Sequence, residues 1–224
     1  MTKFDAKAKF EEIYNKNEWG KGSGEGSMPK NTKEYRDFLT KFLKERKIKS
    51  LVDLGCGDWQ STQLIDWKGI DYVGIDVVQD LIDRNQKEFG KKNITFVRGD
   101  ITNCKLPEAE LIIIKDVLQH WPTKTVKRFL PRLKQFKYAL IINDNYPDAT
   151  LNKDPDPSYG HFRPVSLTEA PFNLKAEKLF YFRTDPKMPK GFKNKEVLLV
   201  VNDAASTAKH RKFDVVRRKI NAIR

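Results

Sequence analysis

Two periodicities divide the chain. Apolar residues three and four apart mark helices: Phe10, Ile13 and Tyr14 over 7–15, Tyr35, Phe38, Leu39 and Phe42 over 32–46, and Val126, Phe129, Leu130 and Leu133 over 123–135. Segments 61–67 and 78–89 also read as helices, and Pro131 is expected to kink the helix that contains it. Short apolar runs at 50–54, 71–75, 94–98, 111–115 and 138–143 read as strands. Strands separated by helical segments predict a parallel sheet with right-handed crossovers. Beyond Ile142 the pattern changes: 144–159 is a long loop rich in Pro and Asp. The last two strands, 177–183 and 196–201, have no helix between them and predict an antiparallel hairpin. The expected fold is therefore α/β: seven strands, mostly parallel with an antiparallel terminal hairpin, and helices on both faces.

The first strand runs into Val52-Asp53-Leu54-Gly55-Cys56-Gly57-Asp58-Trp59. Two glycines without Cβ let a turn close tightly and approach a ligand. A helix over 61–67 would aim its first N–H groups at that ligand. A strand, a Gly-rich turn, a helix and an acidic residue about 20 positions on is how a nucleoside cofactor is held. Asp76, at the end of Tyr72-Val73-Gly74-Ile75-Asp76, is 21 positions after Gly55. A dinucleotide fingerprint wants a third glycine three places after the second, and that place holds Gln60.

With these residues the chain resembles the class I S-adenosylmethionine-dependent methyltransferases, whose first motif is acidic-x-Gly-x-Gly. The resemblance continues in register. Asp76 matches the acidic residue that grips the ribose hydroxyls, and Arg98-Gly99-Asp100-Ile101 matches the pair at the adenine. Lys115-Asp116-Val117-Leu118-Gln119-His120-Trp121-Pro122, past the fourth strand, matches the reacting centre. It implies a Rossmann-like methyltransferase sheet over residues 48–224, preceded by N-terminal helices and a Gly-rich lid over 1–47. It also implies S-adenosylmethionine as cofactor and S-adenosylhomocysteine as product. The expected cofactor residues are Trp19, Gly20, Asp53, Gly55, Cys56, Gly57, Asp76, Val77, Asp100, Ile101 and Lys115. Further on, Gly160-His161-Phe162-Arg163-Pro164-Val165 and Ala170-Pro171-Phe172-Asn173-Leu174 resemble small bacterial and viral members found in glycan or small-metabolite modification.

Composition narrows the class. At 224 residues, 39% hydrophobic and 33% charged, the chain suits one domain with a heavily solvated surface. No apolar run reaches the ~18 residues needed to span a bilayer, and the amino terminus has no apolar signal core. Cys56 and Cys104 make no disulfide framework, and a cytoplasmic protein is expected. The net charge of +13 raises nucleic acid as a partner. Much of the excess is Lys spread along the chain, but His210-Arg211-Lys212 and Arg217-Arg218-Lys219 could form a basic amphipathic helix. An RNA methyltransferase and a non-catalytic cofactor-binding protein thus stand beside the favoured reading, methyl transfer to an oxygen of a small acceptor such as a sugar or glycan. The acceptor and the oligomeric state are not legible.

His120 is the expected general base, since a hydroxyl acceptor must lose a proton, with packing against Trp121 as the alternative; Asp116 either orients His120, binds the methionine end of the cofactor or caps the following helix. Tyr146, His161 and Arg163 are the candidate substrate residues, Arg163 for an acidic or phosphorylated acceptor and His161 as a second base; a loop packed by Phe162 and Phe172 explains His161 and Arg163 equally well. Asp116 and Asp144-Asn145 end adjacent strands, where carboxylate and amide oxygens could hold Mg²⁺; a turn opening before Tyr146-Pro147 is the favoured reading of Asp-Asn. Trp19-Gly20-Lys21-Gly22-Ser23-Gly24-Glu25-Gly26-Ser27 carries a Trp that a plain linker rarely has, and reads as a lid over the cofactor.

Overall fold

A computed structural model describes residues 6–20, 22–145, 159–183 and 194–202. Seven strands form one sheet in the order β3-β2-β1-β4-β5-β7-β6. They are β1 Ser50–Leu54, β2 Asp71–Asp76, β3 Ile94–Arg98, β4 Leu111–Lys115, β5 Tyr138–Asp144, β6 Glu177–Arg183 and β7 Asn194–Val201. β1 to β5 pair parallel. β7 lies antiparallel between β5 and β6, so the terminal hairpin is inserted rather than appended.

The central strands read as continuous apolar runs because both faces are covered. Leu51, Ile113, Leu140 and Leu199 pack on one face with Tyr35, Leu39 and Phe42 of α2 (Lys33–Glu45) and Ile82 of α3 (Gln79–Phe89). Val52, Leu54, Ile112, Ile114 and Ile141 pack on the other with Val126 and Phe129 of α4 (Thr123–Phe129). A shorter helix, α1 (Ala6–Asn15), precedes α2. Among the described residues no helix is long and apolar enough to cross a membrane.

Two expected helices change form. The segment expected as a helix over 61–67 holds only a 3-10 turn, Thr62–Leu64. Trp59 sits at φ 58, a left-handed conformation that stops any helix from starting at the glycine turn. The helix expected over 123–135 is α-helical only to Phe129 and continues as 3-10 over Leu130–Gln135, since Pro131 has no N–H for the α ladder.

Strand order reverses between β1 and β4, whose neighbours β2 and β5 are reached in opposite directions. That reversal opens a crevice beyond their carboxyl ends, where open α/β sheets bind ligands.

Candidate active site

The turn leaving β1 is fixed by its own hydrogen bonds. Gly55 and Cys56 N–H both donate to Ile75 O, at 2.8 and 3.2 Å. Gly57 N–H donates to Asp76 Oδ2 at 3.0 Å, and Asp58 N–H to Ser23 Oγ at 2.9 Å. The expectation that helix-start N–H groups face a ligand here is therefore corrected: no helix starts, and the turn's donors are consumed internally. Gly55 and Gly57 have φ 70 and 56; a Cβ would come within 2.4 Å of Val117 Cγ2 and 2.3 Å of Ser23 Oγ, respectively. Both positions need glycine.

Asp76 is buried at the end of β2, and its Oδ1 accepts Val78 N–H at 3.1 Å. Burial pushes its carboxyl up, against the pull of the N–H groups of Val78 and Gly57. Asp53, expected to touch cofactor, lies off the cavity wall: it is buried in β1, and Tyr72 donates its hydroxyl to Oδ2 at 2.7 Å. Burial raises its pKa to about 6, against the Tyr72 hydrogen bond and the charge of Lys115.

The Gly-rich segment is pinned over the turn. Ser23 N–H donates to Asp58 Oδ2 at 2.9 Å, Ser23 Oγ lies 2.7 Å from Tyr14 Oη, and Lys115 Nζ donates to Gly26 O at 2.8 Å. Nothing in the local sequence around Tyr14 or Ser23 signals this latch, which ties residues 35 positions apart.

Beneath it lies a cavity of about 360 Å³. Of the residues expected at the cofactor, Trp19, Gly55, Cys56, Gly57, Asp76 and Val77 line it, as do Asp100, Ile101 and Lys115. Gly20 does not. Asp100 is held locally, accepting from Thr102 N–H and Oγ1 and from Asn103 Nδ2. Burial pushes the Cys56 thiol up, which suits a packing residue rather than a nucleophile.

Asp116 and His120 line the far end. Asp116 has φ 59, an uncommon conformation for a residue with a side chain, and one that clusters at functional sites. Its Oδ2 accepts from Lys115 Nζ and its Oδ1 from Lys195 Nζ, at 2.5 and 2.6 Å. Lys195 Nζ also donates to Asp144 Oδ2 at 2.5 Å. Burial would raise the Asp116 carboxyl, but the two lysines outweigh it and hold it well below the usual range. Burial likewise works against the Lys195 ammonium, and the two carboxylates overcome it and raise its pKa. Asp116 thus spends both oxygens on lysines and reaches His120 through its charge, not as a hydrogen-bonded partner.

Burial, aided by the Lys195 charge and opposed by that of Asp116, lowers His120 to about 4. The ring is therefore neutral near pH 7. The backbone of Gly160 and His161 also favours the charged ring, though Nδ1 makes no well-formed hydrogen bond among the described residues, and Nε2 lies 3.5 Å from Gln119 Nε2. The ring of Trp19 lies 5.0 Å from that of His120 and the ring of Phe162 6.1 Å, centroid to centroid. Phe162 is half exposed and lines the cavity.

The proposed substrate residues fare differently. Arg163 is off the cavity wall: it is buried, its Nη2 donates to Trp121 O and Thr123 Oγ1 at 3.1 Å each, and its guanidinium lies over the Phe172 ring. His161 is exposed and off the cavity wall. Tyr146 and the basic stretch 210–224 lie outside the described residues. No group of three or more His, Cys, Asp or Glu placed to hold a metal ion occurs among the described residues. Lys195 is the residue sequence reasoning missed. Its one signal is a cation at the head of the apolar run 197–201, paired in register with Asp144.

Residues 51–136 match the family described as "Methyltransferase domain", a span that holds the glycine turn, Asp76, Asp100 and Asp116. Among solved structures the chain is similar to magnesium protoporphyrin IX methyltransferase from Synechocystis PCC 6803 with bound SAM. Identity there is 15%, over 91% of this chain and 100% of that one, with a TM-score of 0.61. It is also similar to the methyltransferase domain of bacterial CtHen1-CN, at 15% identity over 77% and 99%, TM-score 0.55. A putative O-methyltransferase from Nostoc punctiforme PCC 73102 matches at 10% identity over 77% and 57%, TM-score 0.55. At these identities the likeness is one of fold.

Proposed function

We propose that this chain, which has the fold of the class I S-adenosylmethionine-dependent methyltransferases, transfers a methyl group to an oxygen of a small acceptor, a sugar or glycan hydroxyl. The observation that carries the reading is the single cavity spanning the ends of β1 to β5, with the Asp76 carboxylate at one end and neutral His120 at the other. The glycine turn keeps no free run of N–H donors for phosphates, which disfavours a dinucleotide and suits a nucleoside with none.

In this reading Asp76 accepts from the ribose hydroxyls and the Gly55–Gly57 turn gives the backbone room to approach the cofactor. S-adenosylmethionine supplies a methyl on a sulfonium, which leaves as a neutral thioether as the C–O bond forms. The chain's own work is to align the acceptor and to take its proton. A weakly basic His120 is adequate for that, because a hydroxyl acquiring a methyl becomes far more acidic than an imidazolium. Trp19 and Phe162 beside His120 give flat apolar walls on which a pyranose ring can rest, and this supports the sugar reading.

Calorimetry with S-adenosylhomocysteine tests the cofactor. Wild type is expected to bind, and Asp76→Ala to weaken binding by about 10²-fold, the worth of two charge-assisted hydrogen bonds; unchanged affinity would sink the assignment. A transfer screen with labelled cofactor over nucleotide sugars, glycans and RNA identifies the acceptor, and transfer to RNA alone would replace the sugar reading.

A further inference from the structure

The ends of β4, β5 and β7 carry a chain of alternating charges: Lys115, Asp116, Lys195 and Asp144, in contact order. Two carboxylates on adjacent parallel strand ends are what a hard divalent cation needs, with substrate oxygens completing its shell. Here the space between Asp116 and Asp144 is filled by the Lys195 ammonium, 2.6 and 2.5 Å from their oxygens. Its side chain is 2% exposed. Long-range pairing puts it there, since Lys195 stands opposite Asp144 in the β5–β7 ladder.

Two of the ammonium's three donors are committed to carboxylates, which leaves one. Beside it, Asp144 Oδ1 is buried without a partner among the described residues. Both side chains line the cavity that holds His120. An unsatisfied buried carboxylate oxygen is costly unless a ligand completes it. The four formal charges cancel, so a neutral ligand with a donor and an acceptor side by side fits better than an anion.

We infer that Lys195 is the resident cation of the acceptor site, a covalently fixed ammonium that stands where a divalent metal would and positions a pair of neighbouring hydroxyls. One hydroxyl oxygen accepts the remaining Lys195 N–H while its neighbour donates to Asp144 Oδ1. The ligand class is a vicinal diol or polyol, and the assignment of this end to the acceptor rests on the methyl-transfer reading. Lys195 is a positioning residue here, and the proton still leaves through His120.

The test uses the full chain and Mn²⁺ alone, followed by electron paramagnetic resonance. Wild type is expected to bind no Mn²⁺ at the site. Lys195→Ser, which frees two facing carboxylates, binds one equivalent at least about tenfold more tightly than wild type, and adding Asp144→Asn abolishes it. Lys195→Gln, a neutral side chain of similar length with an amide oxygen to offer a metal, serves if the serine variant does not fold. Mn²⁺ bound tightly by wild type, or a folded Lys195 variant blind to Mn²⁺, overturns the inference. With the acceptor found by the screen, Lys195→Ser is expected to raise KM at least tenfold and Mn²⁺ to lower it again. An unmoved KM would leave Lys195 a structural tie and refute the positioning role. S-adenosylhomocysteine affinity, measured alongside, reports separately on the cofactor reading: wild type that fails to bind it sinks that reading without touching the Mn²⁺ result.

Discussion

The two halves of the crevice are built on opposite terms. At the ends of β1 and β2 the backbone of the turn is satisfied: Gly55 to Asp58 spend their N–H groups on Ile75 O, Asp76 and Ser23, and only the Trp59 indole N–H beside them lacks a well-formed hydrogen bond among the described residues. At the ends of β4, β5 and β7 the charged Asp116, Lys195 and Asp144 are largely buried, and Asp144 Oδ1, which faces the cavity, has no partner among the described residues. A satisfied turn is a rigid floor that needs no ligand to be stable. A cluster with spare buried donors and acceptors holds stress that a ligand relieves. The contrast separates a part whose polar groups are already paired from one with polar atoms left to offer a ligand.

The sharpest way to break this contrast is at His120. If it receives the acceptor proton, His120→Ala is expected to cut turnover roughly 10²–10⁴-fold while S-adenosylhomocysteine affinity stays within a few-fold. Near-normal turnover would leave His120 a packing residue beside Trp19.

Next in size is Asp53, beneath the floor. Its carboxyl titrates near 6 when folded, above the ordinary value of 3.8. The folded state therefore binds the extra proton, and Asp53 contributes stability that is present below about pH 4 and lost as pH rises through 6. Asp53→Asn keeps an oxygen for the Tyr72 hydroxyl and removes the buried charge. Its gain over wild type should grow from nothing near pH 4 to at most about 3 kcal/mol at pH 8. Urea unfolding at several pH values measures it, and a pH-independent difference would show that Asp53 is ionised without penalty.

The smallest expected effect concerns the latch. Gly57→Ala places a methyl at a left-handed φ and against Ser23 Oγ, so stability should fall by about 1–2 kcal/mol. Cofactor affinity should weaken with it, because Ser23 and the Gly-rich segment are displaced. Lowered stability with unchanged affinity would mean that this segment does not help to hold the cofactor.

The difference between the halves also explains what could be read early. The glycine turn, the acid 21 positions on and the apolar strands are local patterns, and the methyltransferase resemblance they carried is matched by the family found over residues 51–136. Local reading failed where neighbours in space overrule neighbours in sequence. The helix expected over 61–67 is lost to a left-handed Trp59, buried against Tyr72, Phe89 and Phe96. Arg163 reads as an anion binder or a loop-packing residue in sequence, and only the fold shows that its Nη2 donates to Trp121 O and Thr123 Oγ1, off the cavity wall.

By itself the sequence determined the strands, the mostly parallel sheet with its terminal hairpin, and the strand-end residues Asp76, Asp116 and His120. Hydrophobic period and chain chirality act within a few residues and leave a visible pattern. Only the tertiary structure decided which charge meets which. Lys195 reaches Asp116 across 79 residues, and Ser23 reaches Asp58 across 35. Ion pairs have no period, so a carboxylate's partner becomes known only when the sheet brings both strands to one edge.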